Sequence, residues 1–254
     1  MKATNNDGLY FLPFLGIVVF ILIWFFISHI GKDQFSLYLA SPEETISSLV
    51  FLIRNQELAL DTVATLARTI SAFLPAVFFG VTLGFLLGSN RLLLNTFEIL
   101  IEFFRSIPAT ALLPIFILAF GISDVARVGV AFFISFWVML INTIYGITHM
   151  TKARTKVARS MKASSLQIFK YVIVWEILPY IFSGLRLAIS ISLVIVVISE
   201  MVIGPKYGLG IRLLESQQTF KVGNLYAIMV VTGMMGFVLN KAILYFERDI
   251  IHWT

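Results

Sequence analysis

The side chains that most often perform catalysis or bind a metal ion are few and scattered in this sequence. His29, His149 and His252 have no second histidine three or four residues away, which is the spacing of a helical metal site. The chain has no cysteine, which excludes a disulfide framework, a thiolate metal site and a thiol nucleophile. A Gly-x-Ser-x-Gly nucleophile motif is also absent. These patterns predict that the chain is not an enzyme and holds no metal.

A phosphate-binding loop is missing as well. The pattern Gly-x4-Gly-Lys-Ser/Thr, whose backbone N–H groups cradle phosphates, does not occur, and the one Gly-Lys pair, Gly31-Lys32, is followed by Asp33. We therefore expect this chain to bind neither ATP nor any other cofactor.

Composition places the chain in a membrane. Hydrophobic residues make up 59% of its 254 positions and charged residues 13%, whereas roughly a quarter of a soluble domain is charged. Apolar runs of about 20 residues are long enough to cross the bilayer as helices, because backbone polar groups must be paired internally there. The sequence predicts an all-α membrane protein of about six transmembrane helices, the first a retained anchor. Their expected bounds are about Leu9 to Ser28, Leu60 to Leu87, Phe97 to Phe120, Val125 to Thr148, Tyr180 to Ile203, and Asn224 to Phe246.

Glycines and prolines predict where these helices pack and break. Gly80, Gly84 and Gly88 recur at four-residue spacing, so they share one helical face and permit close backbone approach. Pro108 and Pro114 lie within the third run, where they predict a kink or a break.

A short helix is expected between the first two spans. The run Ser41-Pro42-Glu43-Glu44 combines a capping serine, a proline at the first position and acids in the first turn, and it predicts a helix over about Glu43 to Arg54. The expected division is an N-terminal part, residues 1–58, holding the anchor and this extracytoplasmic helix, and a five-helix core, residues 59–254.

Charge orients the predicted spans, since short cytoplasmic loops are rich in Lys and Arg. The connection at about 149–178 is basic, with Glu176 as its one acid, so we place it in the cytoplasm together with both termini. Membrane topology thus explains the net charge of +5 and leaves no reason to expect nucleic-acid binding. The cations of this connection are Lys152, Arg154, Lys156, Arg159, Lys162 and Lys170.

Polar residues inside apolar runs are informative because each is costly in lipid and usually faces a cavity, a partner or an interface. Arg68 lies well inside the second run, and Glu200 lies near the outer end of the fifth. Two interpretations of Glu200 remain open: a gate residue or partner of another helix, and a carboxylate at the membrane interface.

The basic connection has apolar residues at helical spacing, including Leu166, Phe169 and Val172, which predicts an amphipathic helix. Such a segment either docks a partner or lies on lipid headgroups.

Several motifs in and after this connection point to a known family. They are Val157-Ala158-Arg159-Ser160-Met161-Lys162-Ala163-Ser164, Leu178-Pro179 and Ser183-Gly184-Leu185-Arg186-Leu187-Ala188. From Ser41 onward the sequence resembles the transmembrane subunits of type I ATP-binding cassette importers, especially the branch importing sulfonates, taurine, nitrate and related solutes.

The resemblance implies a type I importer permease fold in which the 149–178 connection couples to the ATPase. Where the family has Glu, Gly and Pro, this chain has Lys156, Lys162 and Trp175. A family glycine with positive φ would require Lys162 to tolerate that conformation, at about 1 kcal/mol or more, or to adopt a different turn. The implied coupling residues are Lys156, Val157, Ala158, Lys162, Ala163, Ser164, Leu166, Phe169 and Pro179.

The resemblance also implies partners and a pathway. The expected partners are a second copy of the chain, cytoplasmic ATPase subunits that use ATP and Mg²⁺, an extracytoplasmic solute-binding protein and membrane lipid, in the plasma membrane of a bacterium. Candidate pathway residues are Asn142, Thr143, Ser190, Ser192 and Glu200.

The expected cargo is a small solute such as a sulfonate, taurine, nitrate or bicarbonate. Three alternatives stay open: a thiamine-precursor pyrimidine as cargo, a membrane scaffold that has lost ATPase docking, and a secondary transporter, although the inverted repeats and midplane charge pair expected of the last are not found.

Overall fold

A computed structural model describes residues 12–30, 38–54 and 57–251, and most of these residues are helical and none forms a strand. Four of its helices are long and apolar enough to cross a membrane. The prediction of an all-α membrane protein is therefore confirmed. The four are α3 (Glu57–Ser89), α6 (Asp124–Thr148), α9 (Val174–Ile203) and α11 (Val222–Ile250).

Two helices precede α3. Helix α1 (Leu12–Ile30) has 19 residues, about 28 Å at 1.5 Å per residue, close to the thickness of the hydrocarbon core; the start of the predicted first span, before Leu12, lies outside the described residues. Helix α2 (Pro42–Arg54) confirms the predicted short helix. The hydroxyl of Ser41 accepts from the N–H of Glu44 (3.2 Å), and the Glu44 carboxylate accepts from the N–H of Ser41 (3.0 Å), which is a reciprocal cap.

The third predicted span is two helices and not one. Helix α4 (Arg91–Arg105) is followed by a short 3₁₀ turn and then α5 (Leu113–Phe120), and the two parts meet at 83°. The break predicted from the prolines is confirmed, with Pro108 directly before the 3₁₀ turn. The predicted start at Phe97 was wrong, because the side chain of Asn90 accepts from two backbone N–H groups and begins the helix a turn and a half earlier.

The remaining helices are short. Helices α7 (Lys152–Ser160) and α8 (Ser165–Ile168) occupy the basic connection, and a π turn, Phe169–Ile173, joins α8 to α9 without interruption. Helix α10 (Leu209–Gln218) was not predicted. The predicted start of the fifth span at Tyr180 was also too late, because α9 already begins at Val174 and includes Pro179.

The described residues form two compact units, one containing the chain up to Ala59 with Arg212–Val231, and one containing Leu60–Ile211 with the residues from Thr232. In the first unit the indole of Trp24 stacks on Tyr226, with 5.9 Å between ring centroids, and donates to the carbonyl of Ala40 (2.9 Å). These contacts hold α1 against the start of α11.

The second unit is built on close helix packing, and α6 packs extensively along α9. The stripe of Gly80, Gly84 and Gly88 on α3 faces α6. A Cβ atom added at each glycine would lie too close to α6 for the present packing. The added atoms would be 2.5 Å from Met139 Cβ, 2.7 Å from Thr143 Cβ and 3.1 Å from Ile147 Cβ, respectively.

We expect Gly84→Val to separate α3 from α6 and to lower the free energy of unfolding by about 1–3 kcal/mol, the usual cost of overpacking. The matched control is Gly233→Val, because an added Cβ there meets no atom within 4 Å. Thermal unfolding of both variants in the same detergent checks the expectation. Equal melting temperatures for the two would contradict the described packing.

Candidate functional site

The turn between α7 and α8 is fixed by two caps. Lys162 adopts φ +58°, in the left-handed region. Its N–H donates to Arg159 O (2.9 Å), and the N–H of Ala163 donates to Ala158 O (3.1 Å), so the end of α7 is closed as in a glycine-terminated helix. Of the two options left by the sequence, the tolerated positive φ is therefore the one observed.

The second cap begins α8. The hydroxyl of Ser164 accepts from the N–H of Gln167 (3.3 Å), and the side-chain oxygen of Gln167 accepts from the N–H of Ser164 (2.8 Å). This reciprocal pair is a capping box. Because both flanking helices are capped, the turn presents a defined shape and not a loose loop.

The turn and α8 expose apolar side chains on one side, and on the other side they pack against the rest of the chain. Met161 is 78% exposed and Leu166 is 75% exposed, whereas Ile168 is buried. Phe169 is half-buried and makes an edge-to-face contact with Phe85 of α3, with 4.9 Å between centroids. Leu166 thus faces outward, and Phe169 joins the segment to a long helix.

The other predicted coupling residues occupy different places. Lys156, Val157, Lys162 and Ser164 are exposed, and Ala158 and Ala163 are half-buried at the turn. Pro179 lies inside α9, away from the turn.

The two ends of the segment are tied together. One carboxylate oxygen of Glu176 accepts from the N–H of Thr151, the residue before α7, at 2.7 Å. The base of the segment is therefore closed, and its turn projects from that base.

The candidate pathway residues lie mostly within helix interfaces. Thr143 and Ser192 are fully buried and donate to backbone carbonyls. Ser190 accepts from the side-chain amide of Asn240 on α11 (2.7 Å) and, like Asn142, is only partly buried. Asn142 and Ser190 are thus the members of this group that reach the surface of the chain.

A cluster of ion pairs joins α3, α6 and α9, and it is buried at Glu200 and exposed at Asp124. Glu200 is 0% exposed, and its carboxylate accepts from Arg68 Nη1 at 2.6 Å and from the hydroxyl of Thr65 at 2.9 Å. Arg68 Nε also donates to Asp124 Oδ1 at 2.7 Å. This geometry makes Glu200 a partner of another helix, which is the first of the two interpretations left open by the sequence.

The same cluster holds the segment between α9 and α10. Three successive backbone N–H groups, of Gly208, Leu209 and Gly210, each donate to a different side chain of the cluster. A Cβ atom on Gly208 would lie 2.6 Å from the carboxyl carbon of Glu200, so glycine is required by close approach. The acceptors are Asp61 Oδ1 at 2.8 Å, Thr65 Oγ1 at 2.9 Å and Glu200 Oε2 at 2.9 Å.

Sequence reasoning singled out Arg68 and Glu200 but not their partners. Asp61, Thr65 and Arg68 fall on one face of α3, since they are four and three residues apart. That spacing, together with the rule that a charge inside a span needs an opposite charge, was the signal that could have found the cluster.

Comparison with known proteins decides the family. The model of the family described as "Binding-protein-dependent transport system inner membrane component" matches residues 76–248, which is more than half of the chain.

The chain belongs to this family.

Relatives along most of the chain are permeases of ATP-binding cassette transporters. The bicarbonate transport system permease protein CmpB of Synechococcus elongatus is 31% identical over 252 residues, covering 96% of this chain and 90% of the relative. A probable ABC transporter permease of Brucella melitensis is 28% identical over 91% of this chain and 92% of its own length. The nitrate import permease protein NrtB of Synechocystis is 26% identical, covering 94% and 88%.

A solved structure gives the same fold. An inward-facing structure of the MetNI methionine ABC transporter aligns with 78% of this chain and 98% of its own chain, with a TM-score of 0.62 and 17% identity. The predicted type I importer permease fold is therefore confirmed. The chain is the transmembrane permease of an ATP-binding cassette importer, a multi-pass protein of the bacterial plasma membrane and not an enzyme. A permease of this kind implies an ATPase and a binding protein as partners and needs no cofactor of its own.

We expect Arg68→Met to destabilise the permease by about 3–5 kcal/mol, because it leaves the carboxylate of Glu200 buried without a cation. The double variant Arg68→Met/Glu200→Gln should be less destabilised, since the uncompensated charge is gone. Unfolding in mixed detergent micelles measures both.

The matched control is Arg105→Met, which removes an arginine from an exposed pair with Glu102 and should cost about 1 kcal/mol or less. If Arg68→Met and Arg105→Met unfold alike, the cluster does not hold the helices together.

Proposed function

We propose that this permease carries a small inorganic anion, bicarbonate or nitrate, into the cell. The observation that supports this cargo is the similarity to bicarbonate and nitrate permeases along more than nine-tenths of the chain. Sulfonates and taurine, which also carry an anionic group, are the next candidates from the same branch.

The proposal includes the orientation of the chain. Both termini and the 149–178 segment lie in the cytoplasm, and α2 lies outside. The support is the charge pattern: the segment has six Lys and Arg residues and one acid. The N-terminal part, residues 1–58, then serves as anchor and outer helix, and residues 59–254 form the core that moves the solute.

The proposed coupling element is the turn between α7 and α8, seated against an ATPase subunit that binds ATP and Mg²⁺. A motion of the ATPase can reach the bilayer only through stiff, packed structure. Two features supply it: the contact of Phe169 with Phe85 on α3, and the helical run Ser165–Ile203, which continues without a break from the turn into the span.

The far end of that run carries the buried cluster. Glu200 fixes α9 to Arg68 of α3, and Arg68 reaches Asp124 of α6. A push on the turn therefore moves three spans as one body and does not bend α9 alone.

A second copy of the chain and surrounding lipid complete the proposed assembly, with the pathway between the two copies. Asn142 and Ser190 are the residues we assign to its wall, because their side chains reach the surface of the chain. Thr143, Ser192 and Glu200 are enclosed within the chain, and their part in the pathway is to hold the lining helices in place.

Single-cysteine labelling tests the orientation cleanly, because the chain has no native cysteine. Ser165→Cys, at an exposed position of α8, should react with a membrane-impermeant maleimide only from the cytoplasmic side. Ser47→Cys, at an exposed position of α2, should react only from the outside. Right-side-out and inside-out vesicles give the two readouts, and labelling of Ser165→Cys from the outside alone would exclude the proposed docking.

Reconstitution with the ATPase and the binding protein tests cargo and coupling together. The wild-type complex should accumulate radiolabelled bicarbonate or nitrate in proteoliposomes when ATP is supplied. Deletion of Ala163 and Ser164 removes the capping box and shortens the turn, so it should abolish both uptake and solute-stimulated ATP hydrolysis. Normal membrane insertion of the deletion variant is the control.

If the deletion variant hydrolyses ATP at the wild-type rate in response to solute, the turn is not the coupling element. If the wild-type complex takes up neither anion but does take up taurine or another sulfonate, the coupling stands and the cargo assignment is wrong.

A further inference from the structure

Helix α7 and the turn that follows it carry charge of one sign only. Arg154, Lys156, Arg159 and Lys162 are all exposed. None of these cations has an ion-pair partner among the residues that the structure describes. The surface is therefore a patch of unpaired positive charge.

The single acid of the segment does not moderate this patch. Glu176 is at the base of the segment, where one carboxylate oxygen accepts from Thr151 N–H and the other is buried. An approaching partner therefore meets only cations at the turn.

Between the cations lies a concave, partly apolar surface. A cavity of about 460 Å³ is bordered by Met161, Lys162, Gln167 and Tyr171, with Met161 standing 78% exposed beside it. Two caps fix its shape, as described above. A concavity of fixed shape with an exposed apolar side chain at its edge is suited to a folded protein surface.

A lipid surface fits this patch less well. A helix that lies on headgroups needs a broad apolar face opposite its cations. In α7 the one large apolar residue is Val157, and the cations Arg154 and Lys156 are about 160° apart around the helix axis, at about 100° of turn per residue. Lys156 and Arg159 lie about 60° apart on one side of α7, and Arg154 shares the other side with Val157. The side of α7 that faces away from Lys156 and Arg159 is therefore not a broad apolar face.

Lys162 adds an independent observation. A non-glycine residue with positive φ is strained by about 1 kcal/mol or more. Its side chain is exposed and has no acidic partner among the described residues. The caps hold this backbone conformation, and the ammonium group remains available to pair with a carboxylate of a partner.

From these observations, and resting on the proposed function, we infer that the ATPase surface that receives this turn is acidic. Carboxylates of the ATPase face Lys156, Arg159 and Lys162, and an apolar hollow beside them receives Met161. The recognition is charge-complementary, so it selects an ATPase with this acidic surface from others of the same kind.

Charge substitutions that preserve the turn test this inference. Lys162→Gly keeps the positive φ and removes the charge, and Lys162→Glu reverses the charge. The double variant Lys156→Glu/Lys162→Glu should weaken binding of the ATPase by about tenfold or more, Lys162→Gly by less, and wild-type affinity should fall steeply with added salt. Lys206→Glu, which makes the same change at an exposed lysine outside the segment, should bind as wild type.

The measurement is the affinity of the purified ATPase subunit for the permease in nanodiscs of phosphatidylcholine, across a series of salt concentrations. In a second step, glutamates or aspartates of the ATPase surface are changed to lysine. Those changes that restore binding to the double variant identify the facing carboxylates. Thermal unfolding of Lys162→Gly alone should show equal or greater stability, which separates the loss of binding from misfolding.

Two results would overturn the inference in different ways. If the charge variants bind the ATPase as wild type while deletion of Ala163 and Ser164 abolishes binding, the docking stands and the acidic surface is wrong. If neither change affects ATPase binding but the charge variants weaken association of the permease nanodiscs with phosphatidylserine vesicles, the turn binds lipid, and the proposed coupling fails with it.

Discussion

Arg68 and Glu200 place opposite charges inside the helix bundle, where neither could remain alone. A charge in a low-dielectric interior is stable only when it is paired and its remaining hydrogen bonds are satisfied. Here Glu200 accepts from the guanidinium, a hydroxyl and a backbone N–H, and Arg68 has Asp124 as a second acid. Together with Asp124, the pair fixes the positions of α3, α6 and α9 relative to one another. It also supplies the acceptors that the segment before α10 needs in order to fold back against α3.

The ion-pair cluster at Glu200 is connected to the basic segment by a continuous helix. The turn at Lys162 and the cluster at Glu200 lie at opposite ends of one uninterrupted helical run, Ser165–Ile203. One end is exposed and charged with one sign, and the other is buried and internally neutralised. A partner can therefore act on the first end while the second holds its place among the neighbouring helices.

Local pattern in the sequence predicted the existence of the spans, the cap at Ser41 and the break before the 3₁₀ turn, because each depends on residues close together in the chain. It placed the starts of the third and fifth spans too late. It was not sufficient for α10, which is short and mostly polar after its first turn, so no apolar period marks it. The partners of Glu200 were missed for another reason: Thr65 and Glu200 are 135 residues apart in the chain. The basic segment was predicted as helical and amphipathic, but the left-handed conformation of Lys162 follows from the caps on either side of it, which composition does not reveal.

The glycine stripe on α3 limits how the permease can move. The backbone of α3 lies directly against α6 at Gly80, Gly84 and Gly88. No flexible side chains separate the two helices at these positions. If α3 slid along α6, side chains of α6 would collide with the larger residues between the glycines of α3. The next position at which a glycine meets the same side chain is about 6 Å away, at four residues per step. Shear between these two helices is therefore disfavoured, and we expect them to move as one rigid pair when the permease changes conformation.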